Sequence, residues 1–221
     1  QQRIQQWLDG EGYYPPAGAP EEYGFYVERC YPIAQDRRQY FQTLTEAATP
    51  YVGYKLLVLL AEAEIFKSVW TTNFDNLISK AAVEAKITPI EVGLDTADRA
   101  IRQPRRGELL YVALHGDYRY DALKNTPGEL KAQDHRLRDA LMQTSRTTTL
   151  IVTGYSGRDE LVMEALTAAY SLPGSGRLFW CGHENPEPSP IVRDLLLTAR
   201  KHGREAYYVP THGFDDLLVR L

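Results

Sequence analysis

Polar residues that could do chemistry collect in five short clusters, each placed directly after an apolar run. The clusters are Thr71–Asp75, His115–Asp121, Gly154–Asp159, Gly182–Asn185 and Pro210–Gly213. An imidazole titrates near neutrality, so His115 could accept a proton there. The neighbouring glycines allow a ligand to approach the main chain closely. These residue types together indicate a ligand crevice in which a proton is moved.

Each cluster also has a purely structural interpretation. Thr72-x-x-Asp75 and Ser156-x-x-Asp159 both fit helix capping boxes. A single histidine such as His115 is more often a hydrogen-bonded structural residue than a catalyst. Taken one at a time, the structural interpretation is favoured for every cluster. The functional interpretation gains weight only if all the clusters lie at one edge of one sheet.

The elements that would position these clusters alternate between strand and helix from Ile65 onward. The apolar runs are short and carry little polar alternation, as is typical of strands buried on both faces of a parallel sheet. Predicted strands cover Phe66–Thr71, Leu109–Leu114, Thr148–Thr153, Arg177–Cys181 and Glu205–Val209. Predicted helices cover Asp75–Lys86, Gln133–Thr144, Asp159–Tyr170, Pro190–His202 and Phe214–Leu221. The pattern predicts an α/β fold, a doubly wound parallel sheet flanked by helices, whose ligands bind at the carboxyl ends of the strands.

The chain length allows one large domain, here residues 1–221. Residues 1–64 are expected to be mainly helical and residues 65–221 to form the α/β core. The predicted N-terminal helices cover Gln1–Asp9, Glu21–Glu28, Asp36–Thr45 and Tyr51–Ala63. A short helix is expected over Asp95–Arg102, and Tyr118–Leu130 is expected to be a long surface loop.

Composition excludes several classes of function. The net charge of −4 gives no reason to expect nucleic-acid binding. Cys30 and Cys181 are too few for a structural zinc site made of cysteines or for a disulfide scaffold. No signal peptide opens the chain, and Glu62, Glu64 and Lys67 interrupt its most apolar stretch. We therefore expect a cytoplasmic domain without a bound metal and without membrane contact.

Three motifs carry a family resemblance. TTNFD at 71–75, LHGD at 114–117 and GYSGRD at 154–159 occur in the order and rough spacing of the sirtuin superfamily. More narrowly, the chain resembles the sirtuin-like NAD-cleaving domains of prokaryotic antiphage-defence proteins. The resemblance extends over nearly all of residues 5–221 and implies a Rossmann-like α/β fold.

The resemblance also implies roles for particular residues. His115 and Asn73 would be catalytic. The NAD+ substrate would be held by Thr71, Thr72, Phe74, Asp75, Gly154, Tyr155, Ser156 and Gly157. In sirtuins the first turn holds the nicotinamide ribose and carboxamide, and the Gly-x-Ser turn contacts the adenosine side. His183 and Phe214 follow the last two predicted strands and are candidates for the adenosine end, although simple turn chemistry also accounts for them.

Two departures from the family pattern shape the functional prediction. Protein-deacetylating sirtuins usually carry a four-cysteine zinc module, which two cysteines cannot form, so NAD+ hydrolysis is favoured over deacylation. The family's first strand and its glycine-rich loop, which cradles the pyrophosphate of NAD+, are missing from these residues. We therefore expect residues 1–221 to be a fragment of a larger protein.

The leading functional prediction is an NAD+ glycohydrolase that produces nicotinamide and ADP-ribose, or a cyclic form of it, in antiphage defence. By family analogy the enzyme would be regulated by homo-oligomerisation, by another defence protein or by a fused module. Two non-catalytic alternatives stay open, a sensor of NAD+ or a derived nucleotide and an assembly domain whose 15 tyrosines suit interfaces. An NAD-dependent protein deacylase is a less favoured enzymatic alternative.

Overall fold

Among the described residues, three helices precede an alternating series of strands and helices. The structure is a computed structural model that describes residues 14–16, 19, 22–73, 75–115 and 135–221. The helices are α1 (Glu22–Cys30), α2 (Ala34–Glu46), α3 (Val52–Glu62), α4 (Leu77–Glu84), α5 (His135–Thr147), α6 (Glu160–Tyr170), α7 (Pro190–Lys201) and α8 (Phe214–Arg220). The strands are β1 (Ser68–Thr71), β2 (Thr88–Val92), β3 (Glu108–Ala113), β4 (Leu150–Thr153), β5 (Leu178–His183) and β6 (Ala206–Thr211). A 3₁₀ helix covers Leu94–Arg99.

All strand pairs are parallel, and they form two sheets of three strands. The first sheet has the order β2-β3-β1, with Thr71 opposite Ala113. The second has the order β4-β5-β6, with Thr153 opposite Cys181. The predicted α/β architecture, parallel sheets flanked by helices, is confirmed.

Two apolar cores cover the two faces of both sheets. On one face, Leu110 and Val112 of β3 and Trp180 of β5 pack with the 3₁₀ helix and with α5, α6 and α7. On the other face, Tyr111 of β3 and Cys181 of β5 pack with α3, α4 and α8. Because each core spans both sheets, the sheets lie side by side as two halves of one layered frame.

Most sequence-predicted elements are present with shifted ends. The first strand begins at Ser68 rather than at Phe66, and β4 begins at Leu150 rather than at Thr148. The strand β2 was not predicted, because Pro89 and Glu91 interrupt its apolar pattern. Proline is tolerated at the edge of a sheet, which is where β2 lies.

The N-terminal portion is mainly helical, as predicted for the part that the structure describes. The predicted helix over residues 1–9, the predicted loop over residues 118–130 and the site residue Phe74 lie outside the described residues. Within the described ranges, no helix combines the length and the apolar character needed to cross a membrane.

Candidate functional site

The strand β1 ends in a tight polar turn. The main-chain N–H of Asn73 donates a hydrogen bond to Oγ1 of Thr71 at 2.9 Å, which fixes the chain as it leaves the strand. Thr71 and Thr72 are half-buried, whereas Asn73 is exposed. The turn therefore presents the amide side chain of Asn73 to solvent from a main chain held by its own residues.

The helix after this turn is not capped as the sequence predicted. Thr72 was expected to cap it, but α4 begins at Leu77, whose N–H donates to Oδ1 of Asp75 at 3.1 Å. The intervening Asn76 has φ +55°, which places an extra left-handed residue between the turn and the helix. The capping-box prediction for Thr72 is therefore wrong: Asn76 is the N-cap, and Asp75, the residue before it, accepts from the first N–H of the helix.

Asp75 also has a phenol beside it. The Tyr54 hydroxyl of α3 hydrogen-bonds Asp75, and burial with the charges of Asp75 and Asp215 raises the pKa of Tyr54 to about 12. The phenol consequently keeps its proton near neutral pH and serves as a donor. Asp75 is thus positioned from two sides, by α4 and by α3, at the carboxyl edge of the first sheet.

His115 lies next to this turn, at the end of β3. Leu114, the residue before it, donates its N–H to the main-chain oxygen of Thr71 at 2.9 Å, so the two chain segments run together. The Nε2 atom of His115 hydrogen-bonds Oδ2 of Asp159, and the two side chains are 15% and 13% exposed. The pair is shielded from bulk water but still reachable by a ligand.

Asp159 is held as a carboxylate. Burial on its own would raise the pKa of Asp159, but the hydrogen bond and charge of His115 and the N–H groups of Val162 and Leu161 outweigh it and lower the pKa. A carboxylate only accepts hydrogen bonds, so a neutral His115 carries its proton on Nε2 and leaves Nδ1 as the acceptor. This is the arrangement that a general base requires.

Asp159 has a second task, at the start of α6. It is the N-cap of that helix, and its Oδ1 accepts from the N–H of Val162 at 3.1 Å. The sequence had assigned the cap to Ser156, which is exposed, so that capping-box prediction is wrong. One carboxylate therefore binds the helix through one oxygen and the imidazole through the other.

The turn after β4 contains four of the predicted ligand contacts, Gly154, Tyr155, Ser156 and Gly157. Gly154 and Gly157 have φ of +65° and +78°, a region in which side chains with a Cβ are strained. The Tyr155 ring packs on Trp180 and its hydroxyl donates to the main-chain oxygen of Asp159 at 3.4 Å. Burial, followed by the charge of Asp159, raises the pKa of Tyr155, so this phenol also stays protonated.

Six of the twelve predicted site residues line one cavity, and His115 is not among them. The cavity has a volume of about 630 Å³ and lies between β1 and β4. The predicted residues in its lining are Thr71, Thr72, Asn73, Gly154, Tyr155 and Phe214. The hydrogen bond between His115 and Asp159 joins the end of β3, in the first sheet, to the start of α6, a helix that packs on the second sheet.

The two candidates for the adenosine end are placed differently from each other. His183 ends β5 and is exposed, and a Cβ added at Gly213 in the neighbouring turn would be in van der Waals contact with its ring. Phe214 packs its ring against Tyr54 at a centroid distance of 5.2 Å, on the side of α3. Phe214 therefore has a structural role in the core between α3 and α8, and its role in ligand binding remains a prediction.

Asp159 is the functional candidate that sequence reasoning missed. The sequence analysis placed it in the polar cluster, the capping box and the family motif that end at Asp159 but gave it no catalytic role, and it is 44 residues from His115 in the chain. The sequence signal that could have identified Asp159 as functional was its position shortly after a predicted strand, in a polar cluster like that of Asn73. Position at the carboxyl edge of the sheet was thus a better guide than the local motif.

The fold and the site together define a protein class, an α/β domain with a polar crevice at the carboxyl ends of its strands. The model of one protein family, described as a SIR2-like domain, matches residues 67–202, which is more than half of the chain. The chain belongs to the SIR2-like domain family. No curated protein matches the chain.

Family membership confirms the sirtuin-like part of the sequence resemblance and supports NAD-related activity at the level of the family. SIR2-like domains use NAD+, so the crevice is compatible with an NAD-utilising enzyme. In the part of the chain that the structure describes, no group of three or more His, Cys, Asp or Glu side chains could hold a metal ion.

Proposed function

We propose that the chain is an NAD+ glycohydrolase, which cleaves the bond between nicotinamide and ribose to give nicotinamide and ADP-ribose, or a cyclic form of it. The observation that carries the proposal is the hydrogen-bonded pair of His115 and Asp159, which lies beside the Thr71–Asn73 turn at the carboxyl edge of the first sheet.

The chemistry matches the groups that the site offers. Cleavage of the nicotinamide–ribose bond develops positive charge on the sugar, as in glycoside hydrolysis. The nicotinamide is already cationic in NAD+, so it leaves without a general acid. The site must then orient the ribose, control which nucleophile attacks, and accept one proton.

Each of these tasks has a candidate residue. Nδ1 of His115 accepts a proton from water or from a ribose hydroxyl, while Asp159 stabilises the imidazolium that forms. Asn73, presented by the turn at the end of β1, orients the water or the ribose hydroxyls. Thr71, Thr72 and Asp75 surround the nicotinamide ribose in this proposal.

The adenosine side of NAD+ would lie along the second sheet. Gly154 is exposed and leaves the main chain of its turn open to the substrate, next to Tyr155 and Ser156. Gly157 is buried against Val192, so in this proposal it shapes the turn. His183, at the end of β5, is the proposed contact furthest from the nicotinamide. Phe74 belongs to the nicotinamide side by its position in the motif.

The biological role in this proposal is an NAD-depleting effector of bacterial antiphage defence. Uncontrolled depletion of NAD+ would kill the host, so the activity would be restrained by homo-oligomerisation, by another defence protein or by a fused module. In this proposal the protein acts in the cytoplasm. The support for this role is the motif resemblance together with membership of the SIR2-like family.

The test is nicotinamide release by the full-length polypeptide. The protein is incubated with NAD+, and nicotinamide and ADP-ribose are quantified by chromatography for the wild type, His115→Ala and Asn73→Ala. His202→Ala is the matched control, since His202 is an exposed histidine at the end of α7 that bonds only its own helix in the described structure. Release that is lost in the first two variants and kept in the control supports the proposal. Equal release in His115→Ala and the control would contradict it.

A further inference from the structure

The loop that follows β5 lies at the carboxyl edge of the second sheet, next to the turn of Gly154. Thr153 at the end of β4 is opposite Cys181 in β5, so the residues that follow them, Gly154 and Gly182, lie close together. Adjacent strands of a sheet are about 4.8 Å apart. Residues 184–189, here called the β5 loop, therefore border the part of the site that is proposed for the adenosine end of NAD+.

The β5 loop begins with a left-handed residue that is held by the end of β6. Glu184 has φ +51°, a conformation that residues other than glycine rarely adopt. Its N–H donates to the main-chain oxygen of Thr211 at 2.9 Å, and the Thr211 hydroxyl donates to the main-chain oxygen of Gly182 at 3.0 Å. These two hydrogen bonds fix the first residue of the loop.

Tyr208 of β6 holds the next residue of the loop. Its hydroxyl donates to the main-chain oxygen of Asn185 at 3.0 Å, in a contact at the surface of the protein. Its ring is half-buried and packs against the core that includes Trp180. The ring thus anchors in the fold while the hydroxyl bonds the loop, so the hydrogen bond acts mainly on the conformation of the loop.

Gly182 leaves the space that this contact needs. A Cβ added at Gly182 would lie 1.8 Å from the hydroxyl oxygen of Tyr208 and 2.4 Å from its Cζ. The phenol therefore crosses directly over the main chain of β5, where any side chain on residue 182 would exclude it. Gly182 is not among the described glycines with a positive φ, so close approach rather than backbone conformation accounts for the glycine.

We propose that Tyr208 is a positioning residue for the adenosine end of NAD+. By holding Asn185 from β6, it keeps the β5 loop and the adjoining His183 in the conformation that receives the substrate. The location of the adenosine end at this loop rests on the proposed function. Tyr208 lies within β6 and outside the five polar clusters, so its contact with Asn185 is what assigns it this role.

Tyr208→Phe keeps the ring and removes only the hydroxyl. Without the hydrogen bond, the loop spends only part of its time in the binding conformation, and the apparent affinity falls by that fraction. The net contribution of one hydrogen bond corresponds to about a three- to tenfold loss of affinity for ADP, which carries the adenosine half of NAD+. The affinity for nicotinamide mononucleotide, which lacks that half, should be unchanged.

Isothermal titration calorimetry of the full-length protein measures both affinities, with ADP and nicotinamide mononucleotide as the probes. Tyr207→Phe is the matched control, since Tyr207 is the neighbouring tyrosine of β6 and its hydroxyl bonds only Glu205 in the described structure, at 3.4 Å. ADP binding weakened about three- to tenfold in Tyr208→Phe and unchanged in Tyr207→Phe supports the proposal. Equal ADP affinity in these two variants, equal weakening of both probes in Tyr208→Phe, or a wild type that does not bind ADP would overturn it.

Gly182→Ala tests the same contact from the other strand. The new Cβ would displace the Tyr208 hydroxyl, so the affinity for ADP should fall at least as far as in Tyr208→Phe. Tyr208→Ala removes the ring, and adding Gly182→Ala to that variant should weaken ADP binding no further, because the two changes act on one contact. A further loss in the double variant would overturn the proposed route through Tyr208.

Nicotinamide release by the same proteins separates this proposal from the proposed function. In a protein that cleaves NAD+, Tyr208→Phe should raise KM about three- to tenfold and leave kcat within about twofold, since it does not touch the reacting end. ADP affinity that depends on Tyr208 in a protein that releases no nicotinamide would support the role of Tyr208 and contradict the hydrolase. Release by a wild type whose ADP affinity does not depend on Tyr208 would overturn only the role of Tyr208.

Discussion

Asp159→Asn separates the two tasks of Asp159 and gives the sharpest prediction for the site. The amide oxygen of asparagine can still accept from Val162, and asparagine is as good an N-cap as aspartate. Asp159→Asn should therefore keep the helix cap and lose less free energy of unfolding than Asp159→Ala, its loss coming from the charge beside His115. The negative charge beside His115 is lost, however, and an amide N–H directed at Nε2 favours the wrong tautomer of the imidazole.

The size of the kinetic effect follows from the role of His115. A positioned general base contributes about 10²- to 10⁴-fold, and the loss of the carboxylate that orients an imidazole has cost about 10⁴-fold in Ser-His-Asp hydrolases. We therefore expect nicotinamide release by Asp159→Asn to fall about 10²- to 10⁴-fold. Asp159→Ala should lose the same activity and also about 1 kcal/mol of stability, because it removes the cap.

The assay combines chromatography of the nicotinamide released with urea denaturation of the same three proteins. Nearly full activity in Asp159→Asn, at unchanged stability, would refute the reasoning, because Asp159 would then be a helix cap only. Equal destabilisation by Asn and Ala would also refute it, since the retained cap is what separates the two variants.

Three further predictions concern stability. The Arg204 guanidinium donates hydrogen bonds to five main-chain carbonyl oxygens. Arg204→Met should therefore lower the free energy of unfolding, measured by urea denaturation, by about 3 kcal/mol or more. A decrease of less than about 1 kcal/mol would contradict this prediction. Gly157 and Gly107 both have a positive φ, so substitution by Ala should cost about 1 kcal/mol of stability at either position. Only in Gly157→Ala would the new Cβ lie within 3.3 Å of Val192, so this variant should have the lower Tm. Equal Tm values would contradict the packing argument. Because the folded pKa of Asp159 lies below the unfolded value of about 3.9, its stabilisation is present above that value and is lost as the pH falls through the folded pKa. The free energy by which the wild type exceeds Asp159→Ala should accordingly shrink below about pH 4; a constant difference between pH 6 and pH 3 would contradict this assignment.

The fold class was predictable because buried parallel strands leave a strong local pattern. Short apolar runs such as those of β4 and β5, separated by amphipathic helices, have few alternative interpretations. The strand β2 lacked that pattern, since an edge strand tolerates Pro89 and needs only partial burial. The division of the strands into two sheets could not be predicted from the sequence either, because strand order depends on contacts between distant parts of the chain.

The candidate site was predictable only as a set of positions. The rule that ligands bind at the carboxyl ends of parallel strands brought Asn73, His115 and Gly154 to one edge. It could not show that His115 reaches Asp159, since the pair depends on how two sheets lie relative to each other. Both capping predictions failed for a local reason: the helices begin later than the motifs suggested, with N-caps at Asn76 and Asp159 rather than at Thr72 and Ser156.

The measurement that tests the central claim most directly is the number of nicotinamide molecules released per molecule of the full-length wild-type protein. The account predicts many turnovers, with ADP-ribose or its cyclic form appearing in equal amount. Bound NAD+ that is recovered intact after prolonged incubation of the active assembly would contradict the hydrolase and would support a nucleotide sensor built on the same fold.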